Sequence, residues 1–277
     1  MFNLLRMDLY RLKRSKSVYV CFGVLVLMTI TTAGMIWLTE TPQGQQIALK
    51  LEIMTEQQVQ EEAAGSGLSE MNTQQLFRQM GLNGGTYSCV FGIWLMLFVC
   101  MDYQSGFIKT IMVSHQNRWN YTGSRFLTAG IVNMGYLALQ YVAVLVLNRI
   151  FDLKVVDASL SEILFYTGWS WLVTTAFAAL VILVCVFSKS VAAGTLAVVL
   201  FGSGTFVMPL YFLLRIIGIG EWTKYTIYRM LSEGPDCYTG VKDLYVYAAG
   251  AVLVAVYAVL AGIVLKRQDI PCAGPRG

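Results

Sequence analysis

The sequence predicts an all-α integral membrane protein with six transmembrane helices and three shorter accessory helices. Three observations carry that reading. Of 277 residues 56% are apolar and only 13% charged, against roughly 25% charged in an ordinary soluble domain. Six long apolar runs are free of Asp, Glu, Lys, Arg and His. Basic residues concentrate in alternate connections between those runs.

A span needs about 20 apolar residues, each advancing about 1.5 Å, to cross about 30 Å of hydrocarbon. The qualifying segments are 18–38, 84–101, 126–147, 163–187, 191–208 and 244–265. They form a single transmembrane domain over 1–277. A charge at the bilayer centre costs about 3 kcal/mol on insertion scales and is kept mainly where it has a function. Charge-free spans therefore argue against a proton relay, a voltage sensor or an ion-coupled carrier.

Orientation follows from the retention of Lys and Arg on the cytoplasmic side. With both termini inside, the inner connections hold twelve basic and three acidic residues, net +9, and the outer ones eight and thirteen, net −5, which together return the chain's +4. The expected location is a cell membrane, multi-pass, with both termini cytoplasmic.

Element by element, residues 1–17 place Phe2, Leu5, Leu9 and Leu12 at helical spacing with Arg6, Lys13 and Arg14 on other sides. This pattern predicts an elbow helix lying in the membrane interface. The first span, 18–38, is too long for a secretory leader and is expected to stay in the chain. Residues 39–83 form a polar, acidic outer loop with a turn at Gly65-Ser66-Gly67.

Asn133 and Gln140 lie seven residues apart near one face of the third span. Two roles are open for them: hydrogen bonds between helices, or contact with a transported substrate. Tyr166, Trp169 and Trp171 open the fourth span as interfacial anchors. Pro209 ends the fifth, and the apolar stretch beyond it predicts a short re-entrant or interfacial helix. In the sixth, Ala251, Ala255, Ala258 and Gly262 form a stripe of small residues that lets another helix approach closely.

Cys21, Cys89, Cys100 and Cys185 fall in spans and read as small apolar packers, with Cys237 outside and Cys272 on the cytoplasmic tail. No Gly-x-x-x-x-Gly-Lys-Ser/Thr loop is present, so the P-loop route to ATP is closed to this chain. The single histidine, His115, reads as a solvated loop residue. No metal pair and no hydrolase signature occurs, and the chain is not expected to be an enzyme.

That leaves the loop 102–125. Ser105 is placed to cap a short helix beginning at Gly106, with Phe107, Ile108, Ile111 and Met112 as its apolar face and Lys109 on another side. Such a helix suits a partner's groove, or equally the inner leaflet.

Asp102-Tyr-Gln-Ser-Gly-Phe-Ile-Lys, followed by Asn117-Arg118 and Ser124-Arg125, resembles the loop after the second span of ABC-2-type transporter permeases. Leu4-Leu5-Arg6-Met7-Asp8-Leu9-Tyr10-Arg11-Leu12 with Arg14-Ser15-Lys16-Ser17 is similar to the N-terminus of the same family in Gram-positive bacteria. Phe107 stands where the family more usually has Thr.

The resemblance implies a permease subunit in the bacterial plasma membrane, working with a second permease copy, identical or related. A separate ABC ATPase subunit, which carries the ATP and magnesium, would dock on the 102–125 coupling loop. The contact would comprise Asp102, Ser105, Gly106, Phe107, Ile108, Lys109, Ile111, Met112 and Arg118. No cofactor is expected on this chain; its other partner is membrane lipid, and no nucleic acid. Members of this size resemble exporters of amphipathic peptides, including phenol-soluble modulin exporters and lantibiotic or bacitracin immunity permeases. The alternatives are an exporter of drugs or sodium ions and a membrane sensor or scaffold that transports nothing.

Overall fold

The computed structural model describes residues 2–51, 71–108, 111, 118–153 and 155–268. Lys109, Met112, His115, Asn117, the side chain of Arg118, residues 52–70, Asp269, Cys272 and Arg276 lie outside that description. The described residues are almost entirely helical and contain no strand, only an isolated bridge between Asn72 and Val156. The protein is an all-α chain with five helices long and apolar enough to cross a membrane, or six if one bent pair counts as a span.

Helix α1, Phe2–Arg14, is separated at Ser15 from α2, Lys16–Glu40. The face that α1 turns to the bundle is not the apolar stripe read from the sequence. Leu4, Asp8 and Leu12 are buried at four-residue spacing, while Phe2 and Leu9 are exposed. The reason is electrostatic: Asp8 has charged and polar partners inside the bundle, and a buried carboxylate must be paired.

Beyond α2 the helix breaks at Thr41, whose hydroxyl accepts from the Gly44 amide at 3.1 Å and starts α3, Pro42–Lys50. Residues 73–83, expected within the outer loop, are helical and largely buried. A short α4, Thr73–Phe77, passes through a π turn, Arg78–Leu82, and a tight turn at Asn83–Gly85 into α5, Thr86–Gln104. Leu76, Phe77, Met80 and Leu82 give this stretch its own apolar face, which hydropathy averaging hides among Gln and Arg. Gly85 has a positive φ of 74°, and a Cβ there would lie 2.0 Å from the Gly202 carbonyl oxygen.

Helix α6, Arg118–Ile150, and α7, Leu160–Ser188, follow. Helix α7 is the most deeply buried of the long helices. Its start carries Tyr166 and Trp169, both fully enclosed rather than placed at a lipid interface. The Trp169 indole donates to the Pro235 carbonyl at 3.1 Å, and that of Trp171 to the Gly130 carbonyl at 2.9 Å. Buried indoles need acceptors, and here the protein supplies them.

The expected fifth span, 191–208, is not one helix. Helix α8, Val191–Gly202, is roughly 18 Å long at about 1.5 Å per residue, too short for about 30 Å of hydrocarbon. The chain bends by 65° into α9, Val207–Ile216, none of whose residues is buried. The break falls at Ser203-Gly204-Thr205-Phe206, with Gly204 at φ 74°; Pro209 sits inside the first turn of α9, where its missing N–H costs nothing.

A 3-10 segment, Gly220–Tyr225, a short α10, Ile227–Glu233, and a 3-10 turn, Val241–Leu244, lead into α11, Tyr245–Arg267. Helix α11 lies along α7. Of its small-residue stripe, Gly262 closes on the Trp119 ring, while Ala251 and Ala255 are exposed. Helix α1, the end of α5 and the start of α6 meet at one end of the bundle.

Candidate functional site

At that end, four charged side chains meet, three of them buried and Arg11 partly exposed. Arg125, on the first turns of α6, is 1% exposed. One guanidinium nitrogen pairs with Asp8 of α1, also 1% exposed, and another lies 2.5 Å from Oδ2 of Asp102 at the end of α5, which is fully enclosed. Arg11 Nη2 lies 3.0 Å from the other oxygen of Asp102. Two Asp and two Arg make the group neutral, the condition under which charges can be buried at tolerable cost.

Polar and aromatic neighbours complete the arrangement. Ser124 donates its hydroxyl to Asp8 Oδ2 at 2.6 Å, and Tyr121 donates to Asp102 Oδ2 at 3.1 Å. The Arg125 guanidinium sits 4.8 Å from the ring centres of both Phe98 and Tyr121. Arg11 lies 4.4 Å from Phe107 and 5.7 Å from Phe98. Cation–π contacts of desolvated guanidinium groups contribute on the order of 2 kcal/mol.

The local sequence explains the assembly. Phe98 and Asp102 are four apart on α5, and Tyr121 and Arg125 four apart on α6, so each charged side chain emerges beside its own aromatic neighbour. Hydropathy placed Asp102 and Arg125 one residue outside the spans, with Asp102 in the expected partner contact. They are in fact interior, and Asp8, Arg11, Tyr121, Ser124 and Arg125 went unrecognised as site residues. The available signal was an isolated acid, Asp8, among basic residues and at the same spacing as Leu4 and Leu12.

The connecting segment leaves this cluster directly. Ser105 closes α5, its hydroxyl donating to the Met101 carbonyl at 2.7 Å and its amide to the same oxygen at 2.9 Å, and the chain is helical again at Phe107, Ile108 and Ile111. Gly106 then takes a φ of 71°, the left-handed conformation that ends helices. Ile108 and Ile111 are buried in this chain's own core, and Phe107 is half-buried against it.

Asn133 and Gln140 do not share a site. Asn133 is fully buried where α5, α6 and α7 meet. Its oxygen accepts from the Tyr87 hydroxyl at 2.7 Å, and its Nδ2 donates to Thr174 Oγ1, Thr175 Oγ1 and the Trp171 carbonyl at 2.8, 3.0 and 3.1 Å. Gln140 lies two turns farther along, packed on Gly81 of the π turn so closely that a Cβ there would come within 2.3 Å of its Nε2. Its Oε1 has no hydrogen-bond partner among the described residues.

A second clamp closes the opposite end. Arg78 pairs with Asp236 at 2.5 Å, donates to the Gly234 carbonyl at 2.5 Å and lies 5.4 Å from the Tyr166 ring. Gln75 adds a hydrogen bond to Asp236 at 3.3 Å. The described residues hold no cluster of His, Cys, Asp or Glu fit for a metal ion. No protein-family model matches the chain, and no curated protein matches its sequence.

Proposed function

We propose that this chain is the permease subunit of an ABC exporter in a bacterial plasma membrane, moving amphipathic peptides with energy from a separate ATPase subunit. Its six spans count the bent pair α8 and α9 as one, with both termini in the cytoplasm. The charge asymmetry of the connections supports that orientation.

The observation that carries the reading is the sharing of Arg125 between Asp8 and Asp102. It ties both ends of the 102–125 loop to each other and to α1. A push by a partner on residues 105–117 would therefore displace α1, α5 and α6 as one body instead of flexing a slack loop. Enclosure makes the tie stiff, because separating the ions in a dry interior costs far more than in water.

Cargo follows from the spans. Their surfaces are apolar, and the break at Gly202–Phe206 opens an irregular backbone of the kind that membrane proteins keep where it faces protein or a cavity. An amphipathic peptide fits a path with few fixed charges.

The test is reconstitution of the chain with a cognate ATPase. The chain alone is expected to hydrolyse no ATP, and the complex to hydrolyse it and export peptide. Gly106→Pro with Phe107→Asp should abolish both, since Pro cannot adopt a positive φ and Asp removes the ring beside Arg11. Unchanged binding and turnover in that variant would refute the loop's role.

A further inference from the structure

Between α9, the following 3-10 segment and α11 lies an apolar groove at the end of the bundle away from Arg125. Its wider part, about 790 Å³, runs from Gly218 and Trp222 past Tyr245 and Ala248 to Val252. A second chamber, about 270 Å³, continues toward Phe201, Leu180 and Tyr257. The two adjoin, with Trp222, Tyr225 and Leu253 in the walls of both. From Tyr245 to Leu253 the wider part follows α11 for roughly 12 Å at about 1.5 Å per residue. Its lining is exposed and largely apolar, with Ile219 and Trp222 beyond α9 and Val252 along α11. In a chain of this composition that lining meets lipid.

Two charges line the mouth, Glu221 and Lys224. They stand three positions apart on a 3-10 segment, where such residues fall on the same edge about 6 Å apart. Neither belongs to an ion pair among the described residues; Lys224 rests 5.1 Å from the Tyr225 ring and acts electrostatically on Tyr245. An uncompensated acid and base above an apolar slot match a head that carries both signs over an apolar tail.

We propose that this groove holds one acyl chain of a phospholipid whose head bears both a phosphate and a primary amine, from the leaflet at that end. Lys224 takes the phosphate, Glu221 accepts hydrogen bonds from the amine, and the ethylene linker between them spans the edge. The tail displaces the loosely held solvent or lipid that an open apolar slot would otherwise contain. This does not depend on the transport reading: it needs only that the bundle sits in a bilayer.

Native mass spectrometry of the full chain, released from micelles containing equal phosphatidylethanolamine, phosphatidylglycerol and phosphatidylcholine, tests it. The expected result is one retained phosphatidylethanolamine. Lys224→Gln and Glu221→Gln should each weaken retention about tenfold, the loss of one charge-assisted bond. Ala248→Trp should remove it by filling the slot. Ala248 and Val252 are exposed, so Val252→Trp repeats the block from the next turn without touching the core. Equal retention of the three lipids, retention unaltered by both Trp variants, or indifference to both charge substitutions would overturn the proposal.

Discussion

Asp8 and Arg125 form an ion pair from which water is excluded, each side chain being about 1% exposed although they lie on the first and sixth helices of the chain. The same guanidinium also serves Asp102. Three segments therefore depend on one cation, and that dependence gives the first prediction.

Arg125→Ala leaves two buried carboxylates without their main counter-ion. It should destabilise the purified chain by about 3–5 kcal/mol, read as a fall in the detergent-solubilised unfolding midpoint. Adding Asp8→Leu and Asp102→Leu removes the orphaned charges and should recover most of the loss. A single variant within about 1 kcal/mol of wild type would contradict the enclosed pairing.

Arg11 reaches the same carboxylate from a different environment, with its side chain 34% exposed. Water can replace it, so Arg11→Ala should cost only about 1 kcal/mol. Comparing its midpoint with that of Arg125→Ala measures what burial adds to the same type of pair.

Asn133 joins three long helices through its amide. Asn133→Leu strands the Tyr87 hydroxyl in a dry interior and should cost about 1–2 kcal/mol. Tyr87→Phe in the same chain should recover part of that, so the two changes should be non-additive in a double-mutant cycle of unfolding free energies.

Arg78 pins the 234–236 segment, and Cys237, half-buried and not in a disulfide, is the next residue. Arg78→Gln should loosen that segment and speed maleimide labelling of Cys237 several-fold, because labelling reports local opening. The reference protein is a variant that keeps Cys237 as its only cysteine. An unaltered labelling rate would show that Arg78 does not hold this segment closed.

Gly85 offers a check on backbone packing. With a positive φ and the Gly202 carbonyl in the space of its absent Cβ, Gly85→Ala should destabilise by about 1–3 kcal/mol through strain and overpacking. Gly84→Ala shares the positive φ but meets no neighbour, so it should cost less. Their difference isolates the contact between α5 and the end of α8.

Much of the architecture was legible in the chain. The long helices fall where charge-free runs predicted, since hydropathy acts locally and needs no knowledge of neighbours. The errors arise where the environment is protein instead of lipid or water. Residues 73–83 looked like loop because their polar members face Asp236 and Val156 within the fold. Trp169 and Tyr166 looked like interfacial anchors because a sequence cannot say whether an aromatic meets lipid head groups or a neighbouring carbonyl. In the loop, the positive φ of Gly106 separates the end of α5 at Ser105 from the helical residues Phe107 and Ile108, a break that residue identity alone left open.

The sequence by itself determined that this is an all-α membrane chain, how far its apolar helices run and which connections carry positive charge, because those properties follow from transfer free energies summed over adjacent residues. Only the tertiary structure decided that Asp8, Asp102 and Arg125 are enclosed together and that the partly exposed Arg11 makes the group neutral. Helical periodicity places a side chain on a face of its own helix but says nothing of which distant helix that face will meet. The cost of burying a lone charge then makes the meeting selective, since only an arrangement that brings all four together leaves none of them unpaired.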